Sequence, residues 1–252
     1  MGIGKSIQAG DFRLNPSMSS REIALELTHG AIDIWVTLPE GLRIEEQAET
    51  IEKELKYGGN QNYNFDKREY IKLAQEGFMF PDTYLIPKDA TAQIVVDQLR
   101  ATFTNKVEKS IIGNSKTKLS LQEIITIASL IEREAKTAEE KPTIAGIIMN
   151  RLELGMPLQI DATLHYAKGY DSSENTWWQQ ITLEDKKIKS PYNTYLNTGL
   201  PPGPISNPGI DSIRAALEPK ETDYLYYLHD SEGNIHYATT LEEHNTNVRN
   251  YL

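Results

Sequence analysis

Residues 120–135, SLQEIITIASLIEREA, are the most apolar run of an otherwise polar chain, and the fold has to be built around them. Ser120 and Glu123 form a Ser-x-x-Glu capping box, whose side chains each satisfy a backbone N–H left unpaired at a helix start. Ile124, Ile127, Ala128, Ile131 and Ala135 recur at helical spacing and predict a helix with a buried face. The run closes on two glutamates. At about 100° per residue, Glu132 and Glu134 fall on opposite flanks of the apolar stripe, with Arg133 pointing away from it. A carboxyl at the edge of an apolar face loses hydration when ionised, so its pKa rises and it holds a proton near neutral pH, as a general acid must. Glutamates at a helix end are also commonly solvated or paired, and Arg133, Lys136 and Arg151 are at hand. Spacing alone chooses neither between the two glutamates nor between a catalytic and a structural role.

Other chemistries are bounded by what the chain contains. Formal net charge is -10, from 36 acidic and 26 basic residues, with no basic cluster to neutralise phosphates, which argues against nucleic acid. There is no cysteine, which removes disulfides, zinc–thiolate sites and thiol catalysis. The five histidines, His29, His165, His229, His236 and His244, are scattered, so no metal is expected. No run reaches the ~18–20 apolar residues of a membrane span, and the start MGIGKSIQAG lacks a signal-peptide core. The chain reads either as cytoplasmic or as the soluble part of a longer protein, restarted at an introduced Met. GIGKS lacks the glycine spacing and preceding strand of a phosphate loop.

In chain order, residues 8–30 read as a short strand, a turn at Asn15-Pro16 and a small helix with a Ser19/Glu22 capping box and Gly30 as its stop. Ile32, Ile34, Val36 and Leu38 alternate with polar positions as in a half-buried strand. A helix follows with Ile44, Ala48, Ile51 and Leu55 on one face, closing a small α+β unit near residue 57. Residues 57–65 read as a loop, 69–75 as helix and 90–109 as an amphipathic helix. EGFMFPDTY is aromatic and Pro-rich; its rings either line a sugar groove near Asp82 and Tyr84 or pack a corner between domains. Past the glutamate helix, a second helix has Pro142 near its first turn and ends at Gly155. Asp161 is a plausible N-cap for a helix from Ala162, a reading that competes with a site role. Trp177-Trp178 forms a surface patch or a packing element. Residues 190–209 hold five prolines, three glycines and the polar group Tyr192, Asn193, Thr194 and Tyr195; a long loop so stiffened holds side chains in place at low entropic cost. YLYYLHD and NIHYATT flank Ser231-Glu232-Gly233 as a hairpin, before a closing helix.

EGFMFPDTY, IASLIEREA, IMNRLELGMPLQIDATLHYA and YNTYLNTGLPPGPISNPGIDSIRAAL, in that order, strongly resemble the endolytic murein transglycosylase (MltG, YceG-like) family. The likeness runs from about residue 8 to the C-terminus. It implies an α+β protein: a LysM-like subdomain over residues 1–57, resembled by AGDFRLNPSMSSREIALELTHG, then a mixed helical catalytic domain over 58–252 with a C-terminal β-hairpin. The family's catalytic glutamate is the second of its Glu-x-Glu pair, which falls on Glu134. Cleavage of the β-1,4 bond between N-acetylmuramic acid and N-acetylglucosamine within glycan strands is implied, leaving 1,6-anhydromuramoyl ends. Glu132, Asn150, Arg151, Gln159, Asp161, Tyr192, Asn193 and Thr194 are the expected orienting or sugar-binding residues. The likeness further implies peptidoglycan strands as substrate, cell-wall synthesis proteins as partners, and neither cofactor nor metal. It places the protein on the extracytoplasmic face of the bacterial cytoplasmic membrane, through an N-terminal helix absent from this chain.

Two other readings compete. One is hydrolysis at the same site, with Glu134 as acid and Glu132 or Asp161 as base. The other is a non-catalytic peptidoglycan-binding module.

Overall fold

The computed structural model describes residues 12, 14–28, 33–57 and 63–252. The strand expected before Asn15, the stop at Gly30, Ile32 and most of the 57–65 loop lie outside these residues. The fold is mixed α+β, with two small sheets and a larger helical region.

The helix α1 (Ser20–Glu26) opens with the Ser19/Glu22 capping box. Strand β1 (Asp33–Thr37) is followed by α2 (Ile44–Lys56), which buries Gln47, Ala48, Ile51 and Leu55, and by α3 (Lys67–Leu73). β1 then takes its antiparallel partner from β2 (Thr83–Pro87), past residue 57, with Trp35 opposite Leu85. The aromatics of EGFMFPDTY pack rather than line a groove: Phe78, Phe80 and Tyr84 are all buried, and Phe78 stacks at a tilt against Phe103. α4 (Ala92–Phe103) covers this core and runs on as one π-helical turn over Thr104–Lys109.

The glutamate helix is α5 (Leu121–Glu134), and its capping box forms: Ser120 N–H donates to Glu123 Oε2 at 2.8 Å and Glu123 N–H to Ser120 Oγ at 3.2 Å. The single buried stripe expected from the spacing is too narrow. Every residue from Ile124 to Ile131 is buried, because α5 runs through the middle of the protein with neighbours on all sides. Each fully buried Ile or Leu there contributes about 1.5–3 kcal/mol of transfer free energy. Ser129 is tolerated inside because it donates to Thr126 O and accepts from Ile205 N–H of the Pro-rich loop. The helix ends where Ala135 turns extended, so Glu134 is its last residue.

α6 (Lys141–Glu153) and α7 (Asp161–Lys168) follow, then the long loop and α8 (Ile210–Leu217), which packs on α5 and α6. Gly146 of α6 is required by close approach: a Cβ there would sit 2.2 Å from Lys220 O, where the chain crosses the helix. β3 (Tyr226–His229) and β4 (Ile235–Ala238) form the expected hairpin, closed over by α9 (Leu241–Tyr251).

The expectation of a membrane-face address through an N-terminal helix is corrected. Among the described residues no helix is long and apolar enough to cross a membrane.

Glu76 joins the early part of the chain to the late part. Its carboxyl accepts from Asn207 Nδ2 at 2.9 Å and, at 3.5 Å each, from Ile44 N–H and Tyr166 Oη. Burial, reinforced by the charge on Glu45, pushes it up to about 8. A carboxyl raised on folding stabilises fully below its unfolded value of 4.5 and loses that contribution as pH climbs through about 8. Wild-type protein should therefore lose melting temperature against Glu76→Gln between pH 5 and 9, by at least about 5 °C. Parallel melting curves across that range would show this account of Glu76 to be wrong.

Candidate active site

Glu134 opens into a cleft of about 510 Å3 lined by the end of α5, α6, the 158–161 turn leading into α7, Lys186, Tyr195 of the long loop, and the hairpin with α9. Tyr227 Oη of β3 donates to Glu134 Oε2 at 2.6 Å. The carboxyl is half-buried, and desolvation raises it above the usual carboxylate range. The charge on Asp161 pushes the same way. The Tyr227 hydrogen bond, the Ala162 N–H at the start of α7 and nearby His229 pull against it without reversing the sign.

The hairpin is held where Tyr227 can reach by two α6 residues. Asn150 Nδ2 donates to Thr222 O at 2.7 Å and Tyr224 O at 3.1 Å. Arg151, buried, sends Nε to Leu225 O at 2.6 Å and Nη1 to Leu158 O at 2.7 Å and Pro157 O at 3.3 Å. One guanidinium thus pins both the hairpin approach and the turn into α7. Tyr226 lies against it, with Arg151 Cζ 4.9 Å from the ring centroid.

The opposite wall comes from the long loop. Asn193, fully buried, donates to Lys186 O and Ile188 O and accepts from Tyr195 N–H at 2.9 Å. Thr194 accepts from Ile160 N–H at 3.0 Å through its hydroxyl and from Gln159 N–H at 3.1 Å through its carbonyl. Gln159 is held at φ 53°, a left-handed conformation unusual for a residue other than glycine, with its side chain exposed at the cleft mouth. Tyr195 Oη donates to Asp161 Oδ1 at 2.6 Å. Asp161 does not cap α7: it is the first helical residue, Ile160 holds the cap position, and the carboxylate turns to the phenol instead.

The YceG-like family model matches residues 2–250. The chain belongs to the YceG-like family. Among curated relatives, the endolytic murein transglycosylase of Bacillus subtilis is 36% identical over 270 residues, spanning 97% of this chain and 73% of that protein. The endolytic murein transglycosylase of Streptococcus pneumoniae is 29% identical over 281 residues; the match takes in 98% of this chain and 51% of that longer relative. A crystal structure of a YceG-like protein from Listeria monocytogenes superposes with a TM-score of 0.73 at 30% identity, covering 96% of this chain and 84% of that one.

Within this YceG-like fold, the cleft gathers four of the residues expected from sequence: Glu134, Arg151, Gln159 and Asp161. Asn150, Asn193 and Thr194 stand behind it, bonded to the backbone that shapes it. Tyr192 lies outside the lining and packs against Tyr166 with centroids 4.7 Å apart. Glu132 points elsewhere: it accepts from Ser212 Oγ at 2.6 Å and Gly209 N–H at 3.0 Å and pairs with Lys141 at 3.3 Å, tying α5 to α6 and α8. Trp177 and Trp178 are packing elements, Trp177 against Arg43 and Trp178 against Arg133 and Glu46. Tyr227 and Tyr195 also line the cleft and bond to its carboxylates; neither is among the site residues expected from sequence, although Tyr195 belongs to the polar group of the long loop. The alternation of β3, which puts Tyr227 and His229 on one face, was the signal available for the first. Among the described residues no cluster of three His, Asp or Glu side chains is placed to hold a metal ion.

Proposed function

We propose that this chain is an endolytic lytic transglycosylase that cuts the β-1,4 bond between N-acetylmuramic acid and N-acetylglucosamine within peptidoglycan strands. One observation carries the reading: of the two glutamates closing α5, Glu134 lines an open cleft in surroundings that favour the protonated form, whereas Glu132 is engaged by Ser212, Gly209 and Lys141. Glu134 donates its proton to the leaving glycosidic oxygen as the C1–O bond breaks, and the oxocarbenium-like centre forms at C1. The resulting carboxylate then takes the proton of the same sugar's C6 hydroxyl as that oxygen closes on C1, giving the 1,6-anhydro ring. No water is consumed, so a second catalytic carboxylate is dispensable, unlike the pair used in ordinary glycoside hydrolysis. The names of the Bacillus and Streptococcus relatives, endolytic murein transglycosylases, support the same substrate. Glycan strands are the proposed partner, with cell-wall synthesis proteins as further ones. We also propose the early part of the chain as a LysM-like unit that contacts glycan. As folded, it runs strand–helix–helix–strand and extends beyond residue 57 to include β2, with Trp35 65% exposed on its outer face.

Asp161 favours a second reading, because it is a further carboxylate on the same cleft and a possible base for water. Mass spectrometry of products from purified, uncrosslinked glycan strands separates the two. Internal fragments with anhydromuramic acid ends are expected; reducing ends would convert the assignment to a hydrolase, and intact strands that remain bound would leave a binding module.

A further inference from the structure

We propose that Tyr227 is a positioning residue that assigns the two oxygens of Glu134 to separate duties: Oε2 is committed to the phenol, and Oε1 delivers and recovers the proton. This inference rests on the transglycosylase reading above and deepens it.

The geometry starts from a rigid pair. Glu134 is the last residue of a helix buried through its middle, and Tyr227 sits on a strand whose approach is fixed by the Arg151 and Asn150 bonds to Leu225, Tyr224 and Thr222. Neither end of the 2.6 Å hydrogen bond is free to drift. The phenol is an obligate donor, since burial first and the Glu134 charge second hold its proton on. A carboxyl that already accepts at Oε2 carries its own proton on Oε1. After that proton passes to the glycosidic oxygen, the phenol and the Ala162 N–H remain aimed at the new carboxylate, and Oε1 is open to accept the C6 proton. One carboxyl can then serve both half-steps without turning over.

Several charged and titratable groups share this surrounding: Asp161 from α7, Tyr195 from the long loop, His229 beside Tyr227 on β3, and Arg133 on α5 itself. Arg151 bears on Tyr227 from α6. Among the described residues, only Tyr227 makes a side-chain hydrogen bond to Glu134.

The test is Tyr227→Phe, which keeps the ring and deletes the donor. Losing a hydrogen bond to the ionised form should raise the Glu134 titration by about one pH unit. The alkaline limb of the rate profile should move up by the same amount, with the maximal rate down roughly tenfold and KM within about twofold. Carbon-13 NMR of the Glu134 carboxyl reads the titration without turnover. Site-specific 3-fluorotyrosine at 227, a stronger donor with the ring intact, should move it down instead. A merely structural tyrosine would change melting temperature and leave both titrations where they are; that result overturns the proposal. If wild-type protein makes no anhydro ends but the NMR titrations still move in these opposite directions, the transglycosylase reading falls and the hold of Tyr227 on Glu134 stands.

Discussion

Glu134→Gln should lower strand cleavage by roughly 10³-fold or more, toward the upper end of what a positioned acid or base contributes, because one carboxyl serves in both half-steps. The amide keeps the shape and can still accept from Tyr227 but has no proton to give. Binding of glycan strands should be retained within a few-fold. Stability should move the other way. Desolvation raises Glu134 above 4.5, so the wild type keeps that group's full contribution only below 4.5 and loses it as pH rises through the folded value. The glutamine variant never ionises, and its melting temperature should overtake the wild type's progressively as pH increases from 4.5. Strand cleavage scored by anhydro-end formation, alongside melts at several pH values, checks both halves. Cleavage within tenfold of wild type would remove Glu134 from the chemistry.

Arg151→Met should destabilise the protein by at least about 3 kcal/mol, since Leu225 O, Leu158 O and Pro157 O all lose their donor and a buried unpaired carbonyl costs about 1–3 kcal/mol. Methionine fills much of the stem volume, so the loss reports the hydrogen bonds rather than a cavity. Because the same guanidinium fixes the approach to β3 and the turn before Asp161, cleavage should fall even at temperatures where the variant is fully folded. Urea unfolding measures the first effect and turnover in the folded range the second. A stability within about 1 kcal/mol of wild type would mean that other contacts hold the two segments.

The parts of this molecule legible in its sequence are those decided locally. Ser19 with Glu22, and Ser120 with Glu123, announce helix starts because both partners lie within one turn, and both boxes form. The hairpin around Ser231-Glu232-Gly233 is likewise local. β2 is not legible for the opposite reason: Thr83–Pro87 is short and next to prolines, and a strand far away in the chain makes it one. The full burial of α5 exceeds what spacing can report, because spacing gives a preferred face while neighbours on every side are a tertiary fact. Glu132 and Glu134 share composition, helix and flanks. What separates them is that one meets Ser212 and Gly209, 80 and 77 positions away, and the other meets Tyr227, 93 positions away, contacts that no local pattern encodes. Asp161 looked like a cap because nothing nearby in sequence pointed to Tyr195.

The two small sheets differ most in when each can form. Thr37 and Thr83, whose hydroxyls meet at 2.9 Å across β1 and β2, lie 46 positions apart. Closing so long a loop costs entropy before any contact rewards it, and that ladder has to wait for α2 and α3 to collapse between its strands. The β3–β4 ribbon closes over Asp230 to Asn234 and belongs to the microsecond class of events. In a refolding experiment the tyrosine-bearing ribbon should gain structure early, and the slow phase should report the joining of β1 to β2.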